Sequence, residues 1–90
     1  MLTIYYTTRF KKDFKRIKKQ CKDLGKLQTV IEILVDEKPL DSRYKDHQLI
    51  GNWVNHRECH IEPDWLLIYR ISESNLYLER TGSHTDLFKK

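Results

Sequence analysis

The chain has 90 residues, of which 39% are hydrophobic and 33% are charged, and its formal net charge is +4. A chain this short can bury only one modest core, so we predict a single domain over residues 1–90, and the low glycine and proline content excludes a disordered or fibrous protein. No apolar run approaches the roughly 20 residues that span a bilayer, and MLTIYYTTRF lacks a signal-peptide pattern, so we expect a cytoplasmic protein.

The distribution of charge indicates possible binding partners, and the cysteine content indicates the redox environment. Residues 1–28 contain nine Lys or Arg against two Asp, whereas residues 29–90 contain eight basic and eleven acidic residues. A basic segment of this kind can attract nucleic acid or an acidic protein, although a solvated helix face produces the same pattern. Cys21 and Cys59 are the only cysteines, and in a reducing compartment we expect both to be thiols that pack as small apolar side chains.

The first half of the chain predicts one strand and two helices. The β-branched and aromatic run LTIYY is typical of a strand, and Thr7 or Thr8 can cap the helix that follows. That helix, over residues 9–22, has one apolar stripe at helical spacing, formed by Phe10, Phe14, Ile17 and Cys21. We expect Gly25 to end or interrupt it.

A second helix is predicted over residues 26–37, before Pro39 prevents its continuation. Its inward-facing residues are Leu27, Val30, Ile31 and Leu34. The polar run PLDSRYKDHQLIGNW has no periodicity and is predicted to be a loop with room for function.

Three strands are predicted in the second half, over residues 56–61, 65–71 and 76–81. WLLIYRI is apolar at nearly every position, which is typical of a central strand covered on both faces. The fold class is therefore α+β. We expect a small antiparallel sheet made of the N-terminal strand and three C-terminal strands, with two N-terminal helices packed on one face and the other face partly open.

Polar side chains stand at the edges of these elements, where they are free to converge. His60 and Asp64 flank the turn between two strands, and Arg80 precedes His84 at the end of the last strand. Metal-free RNA cleavage needs a base for the 2′-hydroxyl, an acid for the 5′-oxygen and a cation for the phosphorane. Histidine suits the proton transfers and arginine suits binding of the phosphate. The sequence therefore suggests an RNA-cleaving site formed by these four residues and by His47.

Two aromatic residues and one helix face extend this hypothesis to RNA binding. Trp65 and Phe88 can stack on bases, and the exposed lysines of the first helix can contact ribosomal RNA phosphates: Lys11, Lys15 and Lys18. Each residue also has a simpler interpretation. A single His at a strand end is most often a surface residue, Trp65 fits a core position, and Arg80 can form an exposed ion pair with Glu79.

Two further observations limit the site hypothesis. A zinc site is conceivable, but no HxxxH or CxxC spacing supports it, so we assign no metal ligands and no cofactor. Arg80 alternates with Leu78 and Leu76, so a core-facing pair of leucines would direct Arg80 inward unless the strand twists or bulges.

The motifs YKDH, GNW, HIEPDWLLIY and ERTGSHTDLF resemble the YafQ-type toxins, a branch of the RelE superfamily of type II toxin–antitoxin systems. The resemblance is specific over residues 44–69 and 79–88, whereas residues 1–40 agree only in pattern. It implies a small sheet wrapped by helices that enters the ribosomal A site and cuts mRNA without a metal. It also implies a DinJ-like antitoxin partner, and binding to operator DNA only as the toxin–antitoxin complex.

The resemblance also implies a role for each matching residue. His47 and His60 correspond to histidines that line the active site, Asp64 and Trp65 to the acidic and aromatic residues that end the second motif, and Phe88 to the aromatic residue near the end. Arg80 is expected to bind the phosphate and His84 to be the principal acid or base. No role is implied for His56, Lys89 or Lys90.

Two other functions compete with an RNA-cleaving toxin. A degenerate relative can bind RNA or its antitoxin without cutting and act as a co-repressor module. A DNA-binding repressor built on the basic helix is weaker, because that helix has no evident recognition-helix partner. The presence of His47, His60, Asp64, Arg80 and His84 together favours the enzyme.

Overall fold

The structure, a computed structural model, describes residues 1–88. Its elements in chain order are β1 (Thr3–Tyr6), α1 (Thr8–Lys19), α2 (Leu24–Val35), β2 (His47–Gln48), β3 (Arg57–Glu62), β4 (Trp65–Ser72), β5 (Asn75–Gly82) and α3 (His84–Phe88). Two short 3-10 turns, Ser42–Tyr44 and Gly51–Trp53, flank β2. Lys89 and Lys90 lie outside the described residues.

The strands form one sheet in the order β1-β5-β4-β3-β2. The predicted α+β class is confirmed, but the sheet is mixed because β1 runs parallel to β5. The long connection through two helices and three strands permits that parallel pairing. β2 is a fifth, two-residue strand in the segment predicted as a loop, and it was missed because two residues carry no periodicity.

The basic helix α1 begins as predicted and ends three residues early. The Thr7 hydroxyl accepts a hydrogen bond from the Phe10 N–H at 3.1 Å, which confirms the N-cap. The helix ends at Lys19, and Cys21 is exposed with a φ of 60°. The predicted packing role of Cys21 is therefore wrong, whereas Cys59 is buried in the core.

Helix α2 begins earlier than predicted. The Asp23 carboxylate accepts a hydrogen bond from the Gly25 N–H at 3.0 Å and caps the helix at its true start. Gly25 consequently lies in the first turn rather than ending α1. Leu27, Val30 and Leu34 are buried as predicted, while Ile31 is partly buried.

The two faces of the sheet are covered differently. Both long helices pack on one face, where side chains such as Phe10, Ile17 and Leu27 meet Leu67 and Tyr69 in the main core. The alternate β4 residues point to the opposite face and form a smaller cluster, Leu66 and Ile68 with Leu87, partly covered by Leu49, Trp53 and Phe88. This second face is only partly covered, as predicted.

A bulge in β5 resolves the direction of Arg80. Tyr69 pairs with Leu78, and the preceding Ile68 pairs with Arg80, so Glu79 is an extra residue in β5. The extra residue reverses the alternation. Leu78 therefore lies in the main core, while Arg80 shares the partly open face with Ile68. Among residues 1–88, no helix is long and apolar enough to cross a membrane.

Candidate functional site

Three histidines from three elements form a row on the partly open face. The ring centroids of His47 and His60 are 6.3 Å apart, and those of His60 and His84 are 5.8 Å apart. β2, β3 and the start of α3 supply one ring each. Residues distant in sequence thus meet here because β2 pairs with β3 and because α3 follows β5 directly.

Asp64 fixes the orientation of His84. One Asp64 carboxylate oxygen accepts from the His84 ring Nδ1 at 2.6 Å and from the His84 backbone N–H at 3.1 Å. The ring contact first, and the backbone contact second, lower the pKa of Asp64 below its usual range. Because an ionised carboxylate only accepts, Nδ1 carries the proton, and Nε2 of the half-exposed ring remains for acid or base chemistry.

His47 is held by a network around Asp46. Its Nδ1 lies 2.7 Å from the Lys45 carbonyl oxygen, so Nδ1 is the donor and Nε2 faces the site. The neighbouring Asp46 carboxylate accepts from the Tyr69 hydroxyl at 2.5 Å and from the Arg57 guanidinium at 3.0 Å. Burial, followed by the bond to Asp46, raises the pKa of Tyr69, so its hydroxyl remains a donor. These bonds anchor the segment that carries His47 to β3 and β4.

Glu58 is a site residue that the sequence analysis missed. Its carboxylate is buried, and one of its oxygens lies 3.4 Å from Nε2 of both His47 and His60. Glu58 and His60 are two residues apart on β3 and therefore share a face, which was the available signal. This spacing alone does not predict a site residue, because a glutamate that alternates with apolar residues in a strand usually faces solvent. The buried carboxylate can balance a proton held by either imidazole.

Arg80 lies on the same face but is tied to α1. Its Nε and Nη2 donate to the buried Asp13 carboxylate at 2.6 and 3.1 Å, and these bonds are the first cause of a raised pKa for Arg80. The predicted pair with Glu79 is therefore replaced by a pair with Asp13. Arg80 lies in the sheet row of Ile68 and Glu58, two strand spacings or roughly 10 Å from Glu58 along the sheet.

The two aromatic candidates have different positions. Trp65 is fully buried in the main core, and its indole N–H donates to the Thr81 hydroxyl at 2.9 Å. The predicted base-stacking role of Trp65 is therefore wrong, since neither ring face is open to a base. Phe88 is partly exposed beside Leu66 and Ile68, on the face that carries the histidines.

The three candidate lysines Lys11, Lys15 and Lys18 are exposed on α1 and lie apart from the histidines. Lys11 and Lys15 border a groove floored by Phe10, Phe14 and Leu27. That groove lies on the helical side of the sheet. The lysines are therefore separated by the sheet from the row of histidines.

His56, the fourth histidine, lies apart from the other three. His56 packs edge-on against Trp53 and lies 3.5 Å from Glu79, outside the row. Within residues 1–88, no three His, Cys, Asp or Glu side chains are arranged to hold a metal ion.

The site brings together four of the five predicted catalytic residues, with Arg80 on the same face. It offers three imidazoles, two of them with a tautomer fixed by a hydrogen bond. One carboxylate orients His84, and a buried carboxylate lies beneath the other two rings. Such a set can remove and donate protons on opposite sides of a reacting group. The site is suited to acid–base chemistry, and its position on the partly open face lets a substrate reach it from solvent.

Comparisons with known proteins agree over nearly the whole chain. The family model described as "Bacterial toxin of type II toxin-antitoxin system, YafQ" matches residues 2–89. The chain is 43% identical over 86 residues to the mRNA interferase toxin YafQ of Escherichia coli (strain K12), covering 94% of each chain. A copper-bound mutant toxin from Helicobacter pylori has a TM-score of 0.94 at 41% identity and covers 98% of this chain and 100% of that chain. The toxin in a DinJ–YafQ complex from E. coli has a TM-score of 0.91 at 42% identity, with 98% and 99% covered.

Proposed function

Because the chain belongs to the YafQ family of bacterial toxins of type II toxin–antitoxin systems, we propose that it is an endoribonuclease that cleaves mRNA in the ribosomal A site. The proposed cleavage needs no metal. The protein acts in the cytoplasm, where the loss of intact mRNA stops translation. The observation that carries this proposal is the row of three imidazoles, with Asp64 holding one end and Glu58 beneath the other.

The proposed reaction is a transfer within the RNA backbone. A histidine removes the proton of the 2′-hydroxyl, the 2′-oxygen attacks the adjacent phosphorus, and the bond from phosphorus to the 5′-oxygen breaks. A second histidine donates a proton to that 5′-oxygen, which leaves a 2′,3′-cyclic phosphate upstream and a 5′-hydroxyl downstream. His84 is the principal acid or base because its oriented ring leaves Nε2 free of any contact with Glu58.

Arg80 and Phe88 support the substrate in this proposal. Arg80 lies on the face of the histidines, and its delocalised charge suits the charge that grows on the phosphorane. Phe88 is partly exposed on the same face and suits a stacked base. Asp13 holds the guanidinium in place, so its position is set before the substrate binds.

A DinJ-like antitoxin is the proposed regulator. The E. coli relative forms a DinJ–YafQ complex, and the two toxins are alike over nearly their full lengths. Binding of such an antitoxin inhibits the toxin, and the complex rather than the free toxin binds operator DNA. The basic and exposed surface of α1 suits an acidic segment of this partner.

Induced expression in a bacterium that lacks the antitoxin tests the function. We expect the wild-type chain to arrest growth and His84→Ala to relieve the arrest, with the cleavage rate lowered about 10²- to 10⁴-fold. His56→Ala is the matched control, because this histidine lies outside the row and should leave the chain toxic. Equal toxicity of wild type and His84→Ala at equal soluble levels would remove His84 from the mechanism.

Cleavage by the purified protein on programmed ribosomes tests the mechanism. Cleavage should continue in a strong chelator and should leave a cyclic or 3′-phosphate on the upstream fragment. The copper-bound state of the H. pylori relative makes this control necessary. If chelator abolishes cleavage and one divalent ion restores it, the histidines act as ligands. A harmless wild-type chain that still binds RNA would instead be a non-cleaving module.

A further inference from the structure

A second concavity adjoins the row of histidines along the outer edge of β3. It has a volume of about 470 Å³, within the usual range for pockets that hold small ligands or single nucleotides. Lys26 of α2, the segment 43–45 and the end of β3 line it, and His60 belongs both to this cavity and to the row. An occupant would therefore lie directly beside the proposed reacting group.

The cavity exists because β2 covers only part of the edge of β3. β2 pairs His47 and Gln48 with Glu58 and Arg57, and the pairing stops there. Just before β2, Lys45 adopts a left-handed conformation, with φ 50° and ψ 41°, at the end of a 3-10 turn. The backbone consequently turns away from β3 at the level of His60 and leaves the gap open.

The lining of the cavity is cationic and aromatic. Lys26, Arg43 and Lys45 carry three positive charges, whereas Glu62, bonded to Lys26 at 2.8 Å, carries the only negative one among the lining residues. The Arg43 guanidinium lies 4.8 Å from the centre of the Tyr44 ring, and its Nη2 donates to the Tyr44 hydroxyl at 2.9 Å. Unpaired nucleobases stack on exposed guanidinium groups and on aromatic rings, and this pair places one beside the other.

We propose that this cavity binds the nucleotide next to the scissile phosphate, with its base on the Arg43–Tyr44 pair and its phosphate against Lys45. The assignment rests on the proposed function, because the shared His60 is what places the occupant beside the cut. An acidic protein segment would use the same charges, but it would not need a stacking surface such as the Arg43–Tyr44 pair. The cavity thereby contributes to the choice of cleavage site.

Cleavage of a defined mRNA on programmed ribosomes, with the intact protein, tests this assignment. Arg43→Gln removes the stacking surface at an exposed position and should raise KM about five- to a hundredfold, with a smaller change in kcat. Lys38→Gln is the matched control, because Lys38 is exposed near the opposite end of α2 and should leave KM unchanged. Lys45→Gln should raise KM and weaken its dependence on salt.

An abasic nucleotide provides the second half of the test. Placed in turn on each side of the cut, it should lower wild-type kcat/KM at one position and add no further loss in Arg43→Gln, because both changes remove the same stack. Fully additive losses, or an unchanged KM in Arg43→Gln, would overturn the assignment and leave the cleavage function intact. If the variants weaken antitoxin binding but not RNA cleavage, the cavity belongs to the protein interface instead.

The nucleotide site can be tested even if the proposed cleavage function is wrong. If wild type does not cut, binding of a non-cleavable 2′-O-methyl RNA is compared between wild type and Arg43→Gln by fluorescence anisotropy. Weaker binding by Arg43→Gln supports the nucleotide site without cleavage. Equal affinity overturns it.

Discussion

At the scale of single residues, hydrogen bonds fix the orientation of two of the three imidazoles in the row. His84 donates from Nδ1 to a carboxylate, whereas His47 donates to a backbone carbonyl. A hydrogen bond to an ionised carboxylate is stronger than one to a backbone carbonyl, so the ring of His84 is held more firmly than that of His47. In the proposed mechanism, His84 is therefore the more firmly oriented of these two imidazoles.

The contact between Asp64 and His84 predicts the titration of Asp64. Because its pKa is lowered, the contact contributes stability above the unfolded value of about 3.9 and loses it as pH falls through the lower folded value. We expect carbon-13 NMR of the Asp64 carboxyl group to show a midpoint below 3.9. His84→Ala should return that midpoint only partway, because the backbone N–H of residue 84 still donates. An identical midpoint in the two proteins would mean that the ring contact does not form.

Trp65 should act through stability rather than through RNA binding. Trp65→Phe removes the bond to Thr81 and leaves unfilled space in the core, so the free energy of unfolding should fall by about 1–3 kcal/mol. RNA affinity of the folded variant should match wild type. Phe88→Leu is the opposite case, with weaker RNA binding and little loss of stability, since Phe88 is partly exposed. Urea unfolding and fluorescence anisotropy measure the two quantities, and weaker RNA binding by folded Trp65→Phe would restore its stacking role.

At the scale of elements, the junction between β5 and α3 positions His84. Gly82 has a φ of 152° and is buried, and Ser83 follows as the cap of α3, with its hydroxyl accepting from the Asp86 N–H at 3.1 Å. A Cβ at position 82 would lie 2.8 Å from Nη2 of Arg16. The backbone conformation at position 82 therefore favours glycine, and an added Cβ would also displace the end of the Arg16 side chain.

Gly82→Ala should consequently lower both stability and activity. Backbone strain and the contact with Arg16 should reduce the free energy of unfolding by about 1–3 kcal/mol, and displacement of His84 should lower kcat. Gly51→Ala is the matched control, because Gly51 also has a positive φ but no atom lies within 4 Å of its added Cβ. Urea unfolding and cleavage rates compare the two. Equal losses in both variants would show that only backbone strain matters at position 82.

The elements that the sequence predicted are those with a local signal. Thr7 as a cap and WLLIYRI as a central strand follow from chemistry within a few residues. The end of α1 and the start of α2 were misplaced because the Asp23 cap was overlooked beside the more conspicuous Gly25. Strand β2 and the burial of Glu58 depend on pairing between distant segments, which no local pattern records.

At the scale of the whole molecule, the sheet separates two charged surfaces. The histidines and Arg80 occupy the partly open face, and the lysines of α1 lie on the helical side. If α1 binds ribosomal RNA while the other face holds mRNA, the two interactions can be changed independently.

Charge reversal on α1 tests that separation. Lys11→Glu, Lys15→Glu and Lys18→Glu together should weaken ribosome binding by at least tenfold at low salt and flatten its salt dependence, since each lost phosphate contact lowers the slope by about 0.7–0.9. Cleavage of mRNA already bound should keep its rate, and Lys38→Glu should have little effect. Unchanged affinity and salt slope would make this helix surface only a solvated face.

The extra residue in β5 also constrains which insertions and deletions this strand can accept during evolution. Glu79 reverses the alternation between Leu78 and Arg80, so the number of residues at this point determines which side chains lie on the face of the histidines. Loss of one residue here would send Arg80 toward the main core and bring the buried Thr81 to the surface. An insertion or deletion at this point changes the facing of every later residue of β5, whereas a substitution changes only one side chain. Natural variation in this family should therefore preserve the number of residues between Leu78 and His84, even where the identity of the extra residue, Glu79, changes.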